Sequence, residues 1–226
     1  MPPSFSRLIP EGRDPCTQEI MESLIFELSW RAGTPKQPKE IVFAGLGEPM
    51  LRWETVKEVV TELREHHPDL LLLPSPPSPV GHSTLDSTSL SIPIRLVTNG
   101  LGPPAMMAAE DTIKTKTGRN SSNRDYSTLL LPPEVLAEDI HDLFDSVSVA
   151  INTADPKQYE KLMQPTLTGL VSKDAHGRVC AIIASCAARG LATECTVVSR
   201  EDVDLEAVQE LASRFGASFR GRPYFA

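Results

Sequence analysis

Ile41–Pro49, IVFAGLGEP, is the stretch on which the reading of this chain turns. Four apolar residues, Ile41 to Ala44, predict a short strand of the parallel-sheet kind, buried on both faces. The run stops abruptly at Gly45-Leu46-Gly47-Glu48-Pro49, where two glycines allow a sharp turn and a close backbone approach by a ligand. Glu48 sets a carboxylate at the strand's C-terminal edge, and Pro49 fixes the exit toward an amphipathic helix over Glu54–His66. In α/β barrels and open parallel sheets that edge is where ligands bind.

Outward from this stretch the elements alternate. Ile20, Leu24, Ile25 and Leu28 mark a first helix ending near Gly33. Val56, Val59, Val60 and Leu63 share one face of the helix after Pro49, which stops at His66-His67-Pro68. Strand Ile94–Thr98 closes on Asn99-Gly100, followed by helix Pro133–Leu143 and strand Ser146–Ile151. Asp155-Pro156 pairs an N-cap carboxylate with a proline at the first helical position, opening a short helix to about Met163. A helix over roughly Val179–Ala188, strand Ala192–Val198, helix Asp204–Phe215 and strand Ser218–Tyr224 complete the series. Five strands with interleaved helices imply an α/β fold with a parallel sheet and right-handed crossovers. The chain opens on a helix with no strand before it.

Residues 74–93 are dominated by Pro, Ser and Thr, and residues 103–132 carry the aperiodic polar run TIKTKTGRNSSNRDYST. Neither buries enough apolar surface to offset chain entropy, and both read as long, disordered surface insertions. At 226 residues the remainder suits one α/β domain, with two small domains as the alternative. A net charge of −8 and a pI near 5.2 argue against nucleic acid or an anionic membrane surface as the main partner. No apolar run reaches the ~20 residues of a membrane span, and MPPSFSRLIPEGRDP lacks a signal-peptide core. Four cysteines, Cys16, Cys180, Cys186 and Cys195, are too sparse for a disulfide scaffold, so a reducing, cytoplasmic setting is expected.

GLGEP (Gly45–Pro49), LVTNG (Leu96–Gly100), DSVSVAINTADPKQYEKLMQP (Asp145–Pro165) and FRGRPY (Phe219–Tyr224) occur in an order that resembles the radical S-adenosylmethionine (radical SAM) superfamily. They look most like the radical SAM proteins associated with TatD-type nucleases. The resemblance implies a partial TIM-like (βα) barrel, S-adenosylmethionine as ligand, a [4Fe–4S] cluster, and a TatD-type partner. In that family the cluster cleaves S-adenosylmethionine to a 5′-deoxyadenosyl radical that abstracts hydrogen from a substrate, here unknown. Carried across residue by residue, Gly45, Leu46, Gly47, Glu48 and Pro49 match the segment that binds the methionyl ammonium. Thr98, Asn99, Ser148 and Asn152 sit where such proteins hydrogen-bond the carboxylate and ribose.

The chain departs from the family at the cluster loop, because no CxxxCxxC is present. That spacing read from Cys16 lands on Ile20 and Ser23, and neither replaces a thiolate on iron. Cys180 and Cys186, six apart on a helix, point to different faces. The absent loop and absent first strand fall at the same place, so a sequence shortened at its N-terminus is expected, inactive by itself and weakened by an exposed parallel edge. The alternatives are a degenerate, non-catalytic radical SAM-like binding module or gene fragment, and an unrelated barrel holding a phosphate or small metabolite on GLGEP. On the residues alone, Glu48 also reads as a helix cap, Asn99-Gly100 as a turn, Ser148 as a small core residue and Asn152 as a turn former. Arg220 and Arg222 share a strand face that either lines a ligand site or faces solvent.

Overall fold

A computed structural model describes residues 14–45, 48–72, 91–103, 131–163, 166–167, 170–171 and 174–223. The insertion expectations at 74–93 and 103–132, for residues 74–90 and 104–130, lie outside the described residues, as do Leu46 and Gly47 of the strand-end motif. The elements run α1 (Thr17–Arg31), β1 (Ile41–Phe43), α2 (Trp53–His66), β2 (Ile94–Thr98), α3 (Pro133–Leu143), β3 (Ser146–Ala150), α4 (Pro156–Met163), β4 (Thr166–Leu167), β5 (Leu170–Val171), α5 (Ala175–Ala188), β6 (Ala192–Ser199), α6 (Leu205–Arg214) and β7 (Ser218–Pro223). One five-stranded parallel sheet has the order β1-β2-β3-β6-β7, and β4 and β5 form a separate two-residue antiparallel ladder.

That order never doubles back. A doubly wound sheet reverses direction at a switch point and carries helices on both faces. With right-handed crossovers, a sheet whose strands are added always on the same side places its connecting helices on one face. The pleat agrees. Along β2, Ile94, Leu96 and Thr98 are buried while Arg95 and Val97 are partly open.

The chain divides into two compact units, Met1–Val42 with Trp53–Ile94, and Phe43–Arg52 with Arg95–Ala226. In the first, α1 and α2 pack on each other. Trp53, Val56, Val59, Val60 and Leu63 form the buried stripe of α2, at the spacing that one helical face requires. Proline at position 68 ends that helix and starts a 3-10 turn, Pro68–Leu71.

In the second unit α5 packs on β3 and β6, α3 and α4 lie against α5, and α6 packs on β6 and β7. The stripe Val179, Ile182, Ile183 and Cys186 of α5 is buried, as are Leu136, Ala137 and Ile140 of α3 and Val208, Leu211 and Ala212 of α6. Burying each large aliphatic side chain contributes about 1.5–3 kcal/mol. Asp174 and Asp204 cap α5 and α6 by accepting from Gly177 N at 3.1 Å and Ala207 N at 3.0 Å. Asp155 accepts from Lys157 N at 2.9 Å at the start of α4.

Three local expectations are corrected. The strand read as buried on both faces has only Ile41 buried, with Val42 exposed, because β1 lies at the edge of the sheet. The helix expected from Val179 begins a turn earlier, since the Asp174 cap, and not the first apolar residue, sets its start. His176, which that expectation leaves ahead of the helix, is therefore helical and buried.

Gly100 makes the strand-end turn after β2 possible. Its φ is +75°, and a Cβ there would lie 2.8 Å from Val149 Cγ1 and 3.1 Å from Val179 Cγ1. Gly100→Ala therefore combines left-handed strain with overpacking of the β3–α5 contact. The expected loss is about 2–4 kcal/mol of unfolding free energy, read from urea denaturation.

Candidate functional site

The site lies at the C-terminal end of β2, and its centre is the Glu48 carboxylate. Glu48 precedes a 3-10 turn, Pro49–Arg52, and its Oε1 accepts from Met50 N at 3.1 Å. The same oxygen accepts from Thr98 Oγ1 at 2.7 Å, and Oε2 accepts from Asn99 N at 2.6 Å. Thr98 Oγ1 in turn accepts from Gly100 N at 3.0 Å, and Asn99 Oδ1 accepts from Leu101 N at 2.9 Å. The turn between β2 and residue 101 is thus organised around one anion.

All three donors to Glu48 are neutral, and among the described residues no cation pairs with it. Burial raises its pKa above the usual carboxylate range, and the bonds from Asn99, Thr98 and Met50 pull it back only in part. Oε2 accepts only from Asn99 N among the described residues and keeps acceptor capacity for a further donor. A part-buried carboxylate with neutral donors and spare capacity can accept a charge-assisted hydrogen bond from a cation.

The residues expected to share this site separate into groups. Glu48, Thr98 and Asn99 are in direct contact. Gly45 is described but exposed, and Pro49 opens the 3-10 turn. Ser148 does not join them, because Thr98 pairs laterally with Val149 and Ser148 therefore projects from the opposite sheet face. Asn152 follows β3 with φ 58°; its Oδ1 accepts from Val198 N at 3.3 Å and its Nδ2 reaches Met163 Sδ at 3.1 Å.

On the face where Ser148 projects, four strands contribute to one polar row. Arg95 Nη1 donates to Ser148 Oγ at 3.0 Å, and Ser148 Oγ donates to Glu194 Oε2 at 2.8 Å. Arg220 Nη2 donates to the same oxygen at 2.7 Å. Burial acts to raise the Glu194 pKa, but the bonds from Arg220 and Ser148 and the charges of Arg220 and Arg95 hold it below the usual range. The sequence reading did not single out Arg95 or Glu194. Their signal was a charge inside an otherwise apolar strand run, IRLVT and ATECTVVS.

Tyr159 was likewise missed, although it stands in the DPKQY segment. Its ring is buried edge-on to His176, with centroids 5.4 Å apart, and its hydroxyl has no partner among the described residues. Burial pushes its pKa up to about 12, with further contributions from Cys180 and Glu48. His176 Nε2 donates to the Thr153 carbonyl at 3.1 Å.

The cysteines do not gather. Cys16 is exposed ahead of α1, Cys180 and Cys186 lie on different faces of α5, and Cys195 is buried in β6. Among the described residues no group of three His, Cys, Asp or Glu side chains is placed to hold a metal ion, so these residues do not fit an iron–sulfur cluster. No described helix is long and apolar enough to cross a membrane. Compared with models of protein families and with curated proteins, the chain matches none.

The two carboxylates respond to pH in opposite senses. The folded chain holds the Glu48 proton more tightly than the unfolded chain. Its contribution to stability is present below about pH 4.5 and is lost as pH rises through the raised pKa. Thr98→Val removes the hydroxyl donor, moves that loss to higher pH and costs about 1.5–3 kcal/mol at neutral pH, measured by urea denaturation across pH. Glu194, held low, contributes stability that is present above the ordinary carboxylate range and is lost as pH falls through its own pKa. Arg220→Gln raises the Glu194 pKa in a carboxyl NMR titration. Because the ion pair is largely open to solvent, the stability cost is no more than about 1 kcal/mol.

Proposed function

We propose that this chain is a radical SAM-like domain that binds S-adenosylmethionine, with Glu48 receiving the methionyl ammonium. The observation that carries the reading is the Glu48 carboxylate, part-buried at a strand's C-terminal end, bonded only to neutral donors and lacking a cation among the described residues. An ammonium there removes the electrostatic cost of burial and forms a charge-assisted hydrogen bond. The unreversed strand order supports the TIM-like arrangement, in which such strand ends form the ligand-binding rim. A phosphate held on the same turn is disfavoured, because the Met50 and Asn99 amides already donate to Glu48 and the carboxylate itself repels an anion.

Bound S-adenosylmethionine supplies an amino-acid zwitterion and a sulfonium cation. The residues that meet it here bind and orient it. Glu48 fixes the ammonium, and the Thr98 hydroxyl and Asn99 amide fix the rotamer of Glu48. No reaction step is assigned, since the described thiols do not fit the cluster that reductive cleavage requires. The activity that follows is ligand binding, in a non-catalytic form of the domain.

Because a bound ammonium favours ionised Glu48, binding releases a proton and strengthens as pH rises through the raised Glu48 pKa. Isothermal titration calorimetry with S-adenosylmethionine tests the reading. Glu48→Ala is expected to weaken binding about tenfold or more, and 5′-methylthioadenosine, which lacks the amino-acid portion, to bind comparably weakly. Absence of S-adenosylmethionine binding, or binding unchanged by Glu48→Ala, overturns it.

A further inference from the structure

The polar row on β2, β3, β6 and β7 is distinct from the Glu48 cluster and of opposite electrostatic sense. Charged residues within these four strands are Arg95, Glu194, Arg220 and Arg222, three guanidinium groups against one carboxylate. They share a face. Arg95 meets Ser148, Ser148 meets Glu194, Glu194 meets Arg220, and Arg222 follows Arg220 by the two-residue repeat of the strand. Glu194 Oε2 accepts from both Ser148 and Arg220, so that oxygen is committed within the row.

Arg222 stands at the open end of this row, opposite Val198 and one residue before Pro223. Its Nε is buried and has no hydrogen-bond partner among the described residues. An orphaned, buried guanidinium N–H requires an acceptor that the four strands do not supply. Guanidinium geometry suits a two-oxygen anion, a phosphate or a carboxylate.

We infer that the arginine-bearing face between β6 and β7 receives the anionic group of a second ligand or substrate, phosphate or carboxylate, with Arg222 as the principal donor and Arg220, held by Glu194, as its charged neighbour. This rests on the reading of the sheet as the wall of a ligand-binding barrel. It adds the charge class of the molecule that faces the wall: an anion at β6–β7, apart from the ammonium held at the end of β2.

The test is calorimetric titration of the full chain at neutral pH with inorganic phosphate and, separately, malonate, with chloride holding ionic strength constant. Saturable binding of either anion is expected, and which one binds more tightly identifies the acceptor group. Arg222→Gln should weaken it about tenfold or more, whereas Arg200→Gln, at an exposed arginine paired with Asp202, should leave it unchanged. If Arg222→Gln does not fold by circular dichroism, Arg222→Lys decides, because it keeps the charge and removes the fork; weaker binding supports the inference and wild-type affinity overturns it. Absence of saturable binding by both anions, or undiminished binding by folded Arg222→Gln, also overturns it. Parallel titration of the unsubstituted chain with S-adenosylmethionine separates the two readings. Anion binding that survives in a chain that ignores S-adenosylmethionine removes the proposed function and leaves the anion site standing. Binding of S-adenosylmethionine without anion binding removes this inference alone.

Discussion

The Glu48 carboxylate draws three donors onto itself, the Thr98 hydroxyl and the Met50 and Asn99 amides, and the end of β2 is shaped around it. The two amide bonds fix backbone that would otherwise present unpaired N–H groups at the strand ends. The turn that follows needs a left-handed residue in close contact with Val149 and Val179, and glycine at position 100 is what fits. Electrostatics and packing are therefore coupled here. The anion positions Asn99, Gly100 lets the chain turn beneath it, and α5 closes against the same turn.

This arrangement carries a cost. A carboxylate with only neutral donors is less stable ionised than one paired with arginine, and its raised pKa expresses that. Glu194 shows the contrast within the same sheet, where Arg220 and Ser148 hold the carboxylate low. One acid has its counter-charge built in, while the other has none among the described residues.

Much of the fold was legible in the residues. The period of 3.6 in α2 and α6, the proline after α2 and the aspartate that opens α4 are local signals, set by backbone geometry and by the hydrogen bonds that helix ends lack. All five strands of the main sheet were placed within one or two residues. The burial of β1 was not legible, because exposure of Val42 depends on its edge position, which no local pattern encodes. The two-residue ladder of β4 and β5 was too short to leave a period. The start of α5 was set late because that helix begins at a cap before its apolar stripe.

For the site, the sequence by itself determined which residue types stand at the strand ends: Glu48 after two glycines, Thr98-Asn99-Gly100 after β2, and the alternation that puts Arg220 and Arg222 on one face. Those follow from chain order and from the two-residue period of a strand, both local properties. Only the tertiary structure decided which of them meet. Sheet register sets Thr98 beside Val149 and so sends Ser148 to the other face, away from Glu48 and into the row with Arg95, Glu194 and Arg220. Register is a relation between segments some fifty residues apart, chosen by the burial of Leu96, Val147, Val149 and Cys195 against the helices, and that choice is made by the packed core as a whole.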